Sequence, residues 1–310
     1  MLTAFGIAVR KLRLDKGMRL LDLAGRIGRS AAFVSAIETG RKPIPDAYVA
    51  MVARAMDLSA AEIRELRRAA DRTKKEVRVQ ELPEDQRELV AAFARKIDEL
   101  PSDMMAKLKK IVLKSSEGEN PFRRSRRGIL VPPMSTEAIR EFADKVRSAF
   151  VEDTQIEFPI MDVLEFRMAG LLEGFYIDIR DRESMGGDEG RVIAGKNAIA
   201  LREDVYEGAW SGIGRDRFTA SHEFAHFLLH RTVTMARVRD DSDKIYCDAE
   251  WQADTFAGTL LMSPRHLHRF QGADDAAEAC KMSSPAAHVM WAKYESEGRL
   301  KRPPQLPGFD

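Results

Sequence analysis

The stretch "SHEFAHFLLH", residues 221–230, decides how the C-terminal half of this chain is read. It holds three of the six histidines in 310 residues, two of them in the order His, Glu, x, x, His. From about residue 215 the flanking pattern "RDRFTASHEFAHFLLHR" is helical, which places His222 and His226 one turn apart on one face. Two imidazoles at that spacing can reach one tetrahedral Zn2+, with Glu223 close enough to take a proton from water on the ion. So short a pattern also arises by chance, so a third ligand has to separate a metal site from a helix with hydrogen-bonded histidines.

His230 is not that ligand: it lies eight residues beyond His222 on the same helix, a rise of roughly 12 Å. It reads as a packing residue or as one that supports a ligand from behind. The longer metzincin pattern fails as well, because Leu229 and Thr232 stand where it needs glycine and histidine. A better candidate lies in "CDAEWQADTFAGTLLMSP", residues 247–264, where a helix from about Ala249 sets Glu250 and Asp254 one turn apart. Ala253, Phe256, Ala257, Leu260 and Leu261 give that helix an apolar stripe against the first. His222, His226 and Glu250 would leave one position on the ion for water, and Asp254 would accept the free N–H of a ligand imidazole. Cys247 and Asp248 are weaker alternatives as ligand. Mn2+ is the alternative ion. Arg217 and Tyr246 lie near in the chain, but the sequence does not pick an oxyanion donor between them.

The rest of the chain gives the setting. Its composition, 44% hydrophobic and 32% charged, is that of a globular protein long enough for two cores. No run of about 18 apolar residues is present and the N-terminus lacks a leader pattern, which predicts a cytoplasmic protein without membrane contact. Two distant cysteines, Cys247 and Cys280, predict reduced thiols. Residues 1–75 carry sixteen Lys or Arg and eight Asp or Glu, leaving 34 and 41 for the remainder, so a basic front precedes an acidic body. The front is the part expected to meet a polyanion.

Within that front the spacing predicts five short helices. The first stops at Gly17, the second (20–27) at Gly28, and the third (30–38) is capped by Ser30 and closed by Gly40. Asp46 and Ser59 are expected to cap the last two, Ser59 with Glu62 in capping-box position. The second and third helices, joined by a tight turn, have the form of a helix-turn-helix. Then "LPEDQRELVAAFARKIDELPSDMMAKLKKIV" predicts two amphipathic helices, about 84–99 and 102–113, suited to packing on the front domain or to pairing two copies into a homodimer. A Ser, Gly and Arg-rich linker follows to about 127, giving domains of 1–72, 73–127 and 128–310. "GFYIDIRD" and "RVIAGKNAIALRED" predict a small sheet, the latter as a hairpin turning near Gly195.

Two resemblances follow from these residues. Arg10, Leu12, Arg13, Gly17, Leu23, Ala24, Gly28, Ser30, Val34, Ser35, Ile37, Glu38 and Gly40 make residues 1 to about 70 similar to the Xre/Cro type of helix-turn-helix regulator. That resemblance implies a double-stranded DNA operator as partner, with Ala31, Ala32, Phe33 and Ala36 facing base edges. Arg10, Arg19, Arg29, Arg41 and Lys42 are then candidate phosphate ligands. "RFTASHEFAHFLLH" followed by "EWQADTFAGTLLMSP" resembles the ImmA/IrrE type of zinc metallopeptidase over residues 126–295, with Ser263 inserted before Pro264 as one departure. It implies a zincin-like C-terminal domain that cuts a repressor, so the expected fold is α+β: five N-terminal helices, a helical linker, and a small sheet beside the metal-binding helix. The substrate is then a separate repressor, or the chain's own stretch around 101–127, where a cut would free the DNA-binding part from the acidic body. The competing expectation is a regulator whose metal domain is catalytically silent and serves sensing or dimerisation.

Overall fold

The computed structural model describes residues 2–45, 47–73, 129–231, 236–237 and 245–300. The expected helices at 84–99 and 102–113, and the linker after them, lie outside the described residues. The described residues up to Thr73 and those from 129 to 300 belong to one compact unit.

The N-terminal part is all helical. Helix α1 (Ala4–Asp15) is capped by Thr3, whose side chain accepts from the Gly6 N–H. Helix α2 (Leu20–Arg26) opens with Asp22 accepting from the Arg19 N–H at 3.0 Å. Gly28 then takes φ +64°, a left-handed turn open to residues without a Cβ, and Ser30 caps α3 (Ala31–Glu38) through the Phe33 N–H. Helix α4 (Tyr48–Ala55) starts from Ala47 with no side-chain cap; Asp46 is outside the described residues. Helix α5 (Ala60–Thr73) has the reciprocal cap its sequence predicts: the Ser59 N–H donates to Glu62 Oε2 at 2.7 Å, and the Glu62 N–H to Ser59 Oγ at 3.4 Å. Phe5, Val9, Leu23, Val34, Ile37 and Val52, all fully buried, form the centre of this bundle.

The C-terminal part is α+β. A short β1 (Ile129–Leu130) leads into α6 (Thr136–Phe150), capped by Ser135. Next come α7 (Ile160–Asp162), a π-turn (Val163–Arg167) and α8 (Met168–Leu171). The sheet holds β2 (Tyr176–Arg180), β3 (Gly190–Val192) and β4 (Ala198–Arg202) in the order β2-β4-β3, with α9 (Arg182–Met185) between β2 and β3. Strand β4 pairs parallel with β2 and antiparallel with β3, the hairpin turning through Gly195. Every residue of β4 is buried, as a central strand covered on both faces requires. Helices α10 (Glu203–Trp210) and α11 (Gly214–Leu229) follow, then β5 (Ala236–Arg237), which pairs with β1. Helix α12 (Ala249–Leu261) packs along α11 and α6, and α13 (Ala273–Cys280) and α14 (Ser284–Ser296) close the domain. No helix among the described residues is long and apolar enough to cross a membrane.

Candidate metal centre

Helix α11 runs past the sheet with His222 and His226 on one face, and α12 lies beside it with Glu250 in its first turn. The structure brings these three side chains together: one ligand atom from each lies within 4.8 Å of the others. His226 Nε2 is 3.0 Å from His222 Nε2, while Glu250 reaches His222 Nε2 at 3.2 Å and His226 Nε2 at 3.5 Å. Among the described residues no other group of His, Cys, Asp or Glu forms such a cluster. Asp248 is committed elsewhere, as the cap of α12, accepting the Glu250 and Trp251 N–H groups at 2.8 and 3.2 Å. Cys247 stands outside the cluster, in the single turn before that cap.

The hydrogen bonds behind the two imidazoles fix where their lone pairs point. His222 Nδ1 lies 2.8 Å from Asp254 Oδ1, so the carboxylate accepts the Nδ1 N–H and Nε2 is the nitrogen turned to the cluster. His226 is set by a longer relay that sequence reasoning missed. The Gln252 amide nitrogen donates to the carbonyls of Pro132 at 2.9 Å and Tyr246 at 2.8 Å, which turns its oxygen toward His230 Nε2 at 3.0 Å. His230 must therefore carry its proton on Nε2 and accept at Nδ1, where His226 Nδ1 donates at 3.0 Å. Burial, outweighing the Gln252 hydrogen bond, lowers the His230 pKa and keeps that ring neutral. His226 Nε2 is thus left bare beside His222 Nε2. A sequence signal for Gln252 existed only in its position, two residues after Glu250 on the same helix.

The electrostatics favour a cation at the point where these atoms meet. Burial works against charge on His222, but hydrogen bonds to Asp254 and Glu250 outweigh it and raise its pKa to about 10. The His222 and His226 rings beside it hold Glu250 well below the ordinary carboxylate range, burial notwithstanding. The two Nε2 atoms, which shed any proton they carry when a cation takes its place, and one ionised carboxylate make a donor set that fits a divalent cation. Replacing Gln252 by Leu strands the His230 N–H, frees the His226 tautomer, and is expected to weaken metal affinity about 10- to 100-fold. Competition against a chromophoric chelator measures this; unchanged affinity would remove the relay from the site.

Glu223, 2% exposed, faces β3. A Cβ on Gly190 would come within 2.5 Å of Glu223 Cγ, so only glycine lets the strand backbone lie against this carboxylate. Arg217, near in sequence, is spent on structure: it donates to Phe158 O at 2.8 Å and Lys281 O at 3.1 Å.

Comparison with known families agrees with this architecture. Residues 4–66 match the model of a helix-turn-helix domain, and residues 182–284, which include all three clustered side chains and Glu223, match that of the IrrE N-terminal-like domain. The chain joins a helix-turn-helix domain to a metallopeptidase-like domain of the IrrE type. No curated protein matches the chain.

The helix-turn-helix side chains expected on DNA are placed differently from the IrrE-type cluster. Ala31, Ala32 and Ala36 are 0, 5 and 2% exposed, and α3 packs against β2 of the C-terminal part as well as against α1 and α2. Phe33 is partly buried against Tyr48, ring centroids 6.1 Å apart, with Arg29 and Lys42 stacked over it at 5.4 and 5.5 Å. Arg10 is buried and turned toward the Glu165 carbonyl at 3.5 Å; burial, with Arg13 beside it, lowers its pKa to about 10. Arg19 pairs with Asp22 at 2.6 Å, and Arg41 with Asp178 at 2.6 Å. In this arrangement Arg29, Lys42 and part of Phe33 remain at the surface, while the alanine face and Arg10 do not.

Proposed function

We propose that this chain is a DNA-binding transcription regulator whose IrrE-like domain is a zinc-dependent endopeptidase acting on a repressor protein. The convergence of His222, His226 and Glu250 beside the buried Glu223 carries this reading. These three residues would hold a divalent ion, which would supply Lewis-acid chemistry toward water and a peptide carbonyl. Glu223 takes the proton of the attacking water and returns it to the departing amine. Asp254 and the His230–Gln252 relay hold the imidazoles in the tautomers the ion needs. The side chain of Glu250 is 42% exposed and that of Asp254 54%, so the centre opens to a chain entering from solvent. The basic residues 1–75 supply the DNA-binding part, acting as a homodimer on two half-sites.

The substrate is a separate repressor or the stretch 101–127 of the chain itself. A cut in that stretch severs the covalent link, but the contacts between residues 1–73 and 127–310 persist, so release of the DNA-binding part needs a further step. Purified full-length protein loaded with Zn2+ or Mn2+, alone and with an added Xre-type repressor, tests the reading by fragment masses. Cuts are expected with metal and not with a chelator. A metal-loaded chain that leaves both substrates intact would sink the peptidase reading.

A further inference from the structure

Helix α3 is the element a helix-turn-helix domain lays into the major groove, yet here it lies along the β2 edge of the C-terminal sheet. Small residues on this helix permit close approach, and Ala31, Ala32 and Ala36 are all buried. Three carboxylates of the C-terminal part take the polar groups around that face. Glu165 Oε1 accepts the Leu20 N–H, at the opening of α2, at 2.6 Å and Arg13 Nη1 at 2.9 Å. Glu203 Oε1 accepts the Ala32 N–H, in the first turn of α3, at 2.7 Å. Asp178 Oδ1 accepts Ser35 Oγ at 3.0 Å and Arg41 Nη2 at 2.6 Å, while the Ile179 N–H at the β2 edge donates to Ser35 Oγ at 2.8 Å.

These donors are of the kinds that hold DNA phosphates: N–H groups in the first turns of helices, a hydroxyl, and arginine. The acceptors are anionic oxygens carried by the acidic part of the chain. We propose that the face bearing Glu165, Asp178 and Glu203 is an interaction surface for the DNA-reading side of the helix-turn-helix domain, in which carboxylates stand where phosphate oxygens would. Duplex DNA and the C-terminal part then compete for one surface, and the domain reads DNA only when α3 leaves β2. This rests on the reading of residues 1–73 as DNA-binding.

A merely structural interface makes the opposite prediction, that neutralising the carboxylates weakens the fold and gains no DNA affinity. The test uses the full chain with Asp178→Asn and Glu203→Gln combined. Glu165 is left alone because Tyr206 and Trp210 of its own domain also donate to it. Weakening three charge-assisted contacts shifts the closed arrangement toward the open one, so the double variant is expected to bind a short mixed-sequence duplex at least about tenfold more tightly than wild type. Exchange of amides 31–36 with deuterium should accelerate in parallel. Glu141→Gln with Glu152→Gln, two exposed carboxylates on α6 and the turn after it, makes the same change in net charge and is expected to leave binding unchanged. Glu203→Gln alone, at a half-buried position, guards against misfolding and should show a smaller gain in the same direction. Equal binding by wild type and the double variant overturns the competition and leaves the DNA reading standing. No binding by either, with exchange showing α3 uncovered in the variant, removes the DNA reading and this proposal with it.

Discussion

Replacing Glu223 by Gln is expected to leave the bound ion in place and to lower proteolysis by at least about 100-fold. Glutamine keeps the size and the hydrogen-bonding atoms of the side chain but cannot take up a proton at neutral pH. The side chain sits against the Gly190 backbone and outside the trio of clustered donors, so the three ligand atoms stay in place when its charge is removed. His226→Ala is the contrasting variant. It removes one of three protein ligands and breaks the relay to His230, so ion and activity are expected to go together. Elemental analysis of each purified protein, set beside fragment yield from the same preparation, separates the two effects. Loss of the ion in Glu223→Gln would make this residue part of the metal cage and not the base. Full activity in that variant would remove general-base chemistry from residue 223.

The second large effect is expected far from the metal. Glu165 is 4% exposed and accepts four donors: the Arg13 guanidinium and Leu20 N–H of the helix-turn-helix domain, and the Tyr206 hydroxyl and Trp210 indole N–H of its own. Glu165→Ala takes the acceptor from all four, leaving the Leu20 N–H and the Tyr206 hydroxyl buried without it, while Arg13 Nη1 keeps only the Met18 carbonyl at 2.9 Å. Arg13 is 2% exposed, and although Glu38 lies 3.5 Å from it, the closer anionic partner is gone. Breaking a buried ion pair by removing one partner costs about 3–5 kcal/mol, because the remaining charge stays desolvated. A loss of that size lowers the thermal midpoint of a unit this large by roughly 6–20 °C, at about 2–4 °C per kcal/mol. Circular dichroism on heating reads it directly. A midpoint equal to that of wild type would show that the two parts of the chain do not depend on this contact.

Much of the local structure is legible without coordinates. Ser30, Ser59 with Glu62, and the stops at Gly17, Gly28 and Gly40 mark the first five helices, because caps and left-handed glycines act within a few residues of themselves. The spacing of His222 and His226 fixes their common face, since both lie on one helix. Even Glu250 and Asp254 follow from a second helical face, given one assumption: that the two helices pack side by side.

Tertiary structure decided what no local period records. Convergence of Glu250 on the two histidines, the turning of Gln252 by the Pro132 carbonyl toward His230, and the approach of Gly190 to Glu223 join residues 22 to 120 positions apart. The π-turn that carries Glu165 has no pattern of its own in the sequence. The alanine face of α3 is the clearest case. A smooth, small-residue helix surface fits thymine methyls in a groove and the edge of a protein sheet equally well, because both want close approach and neither wants a side chain in the way. Sequence determined that this helix has a partner-seeking face. Only the folded chain, with Asp178, Glu203 and Glu165 already on the surrounding donors, decided which partner occupies it.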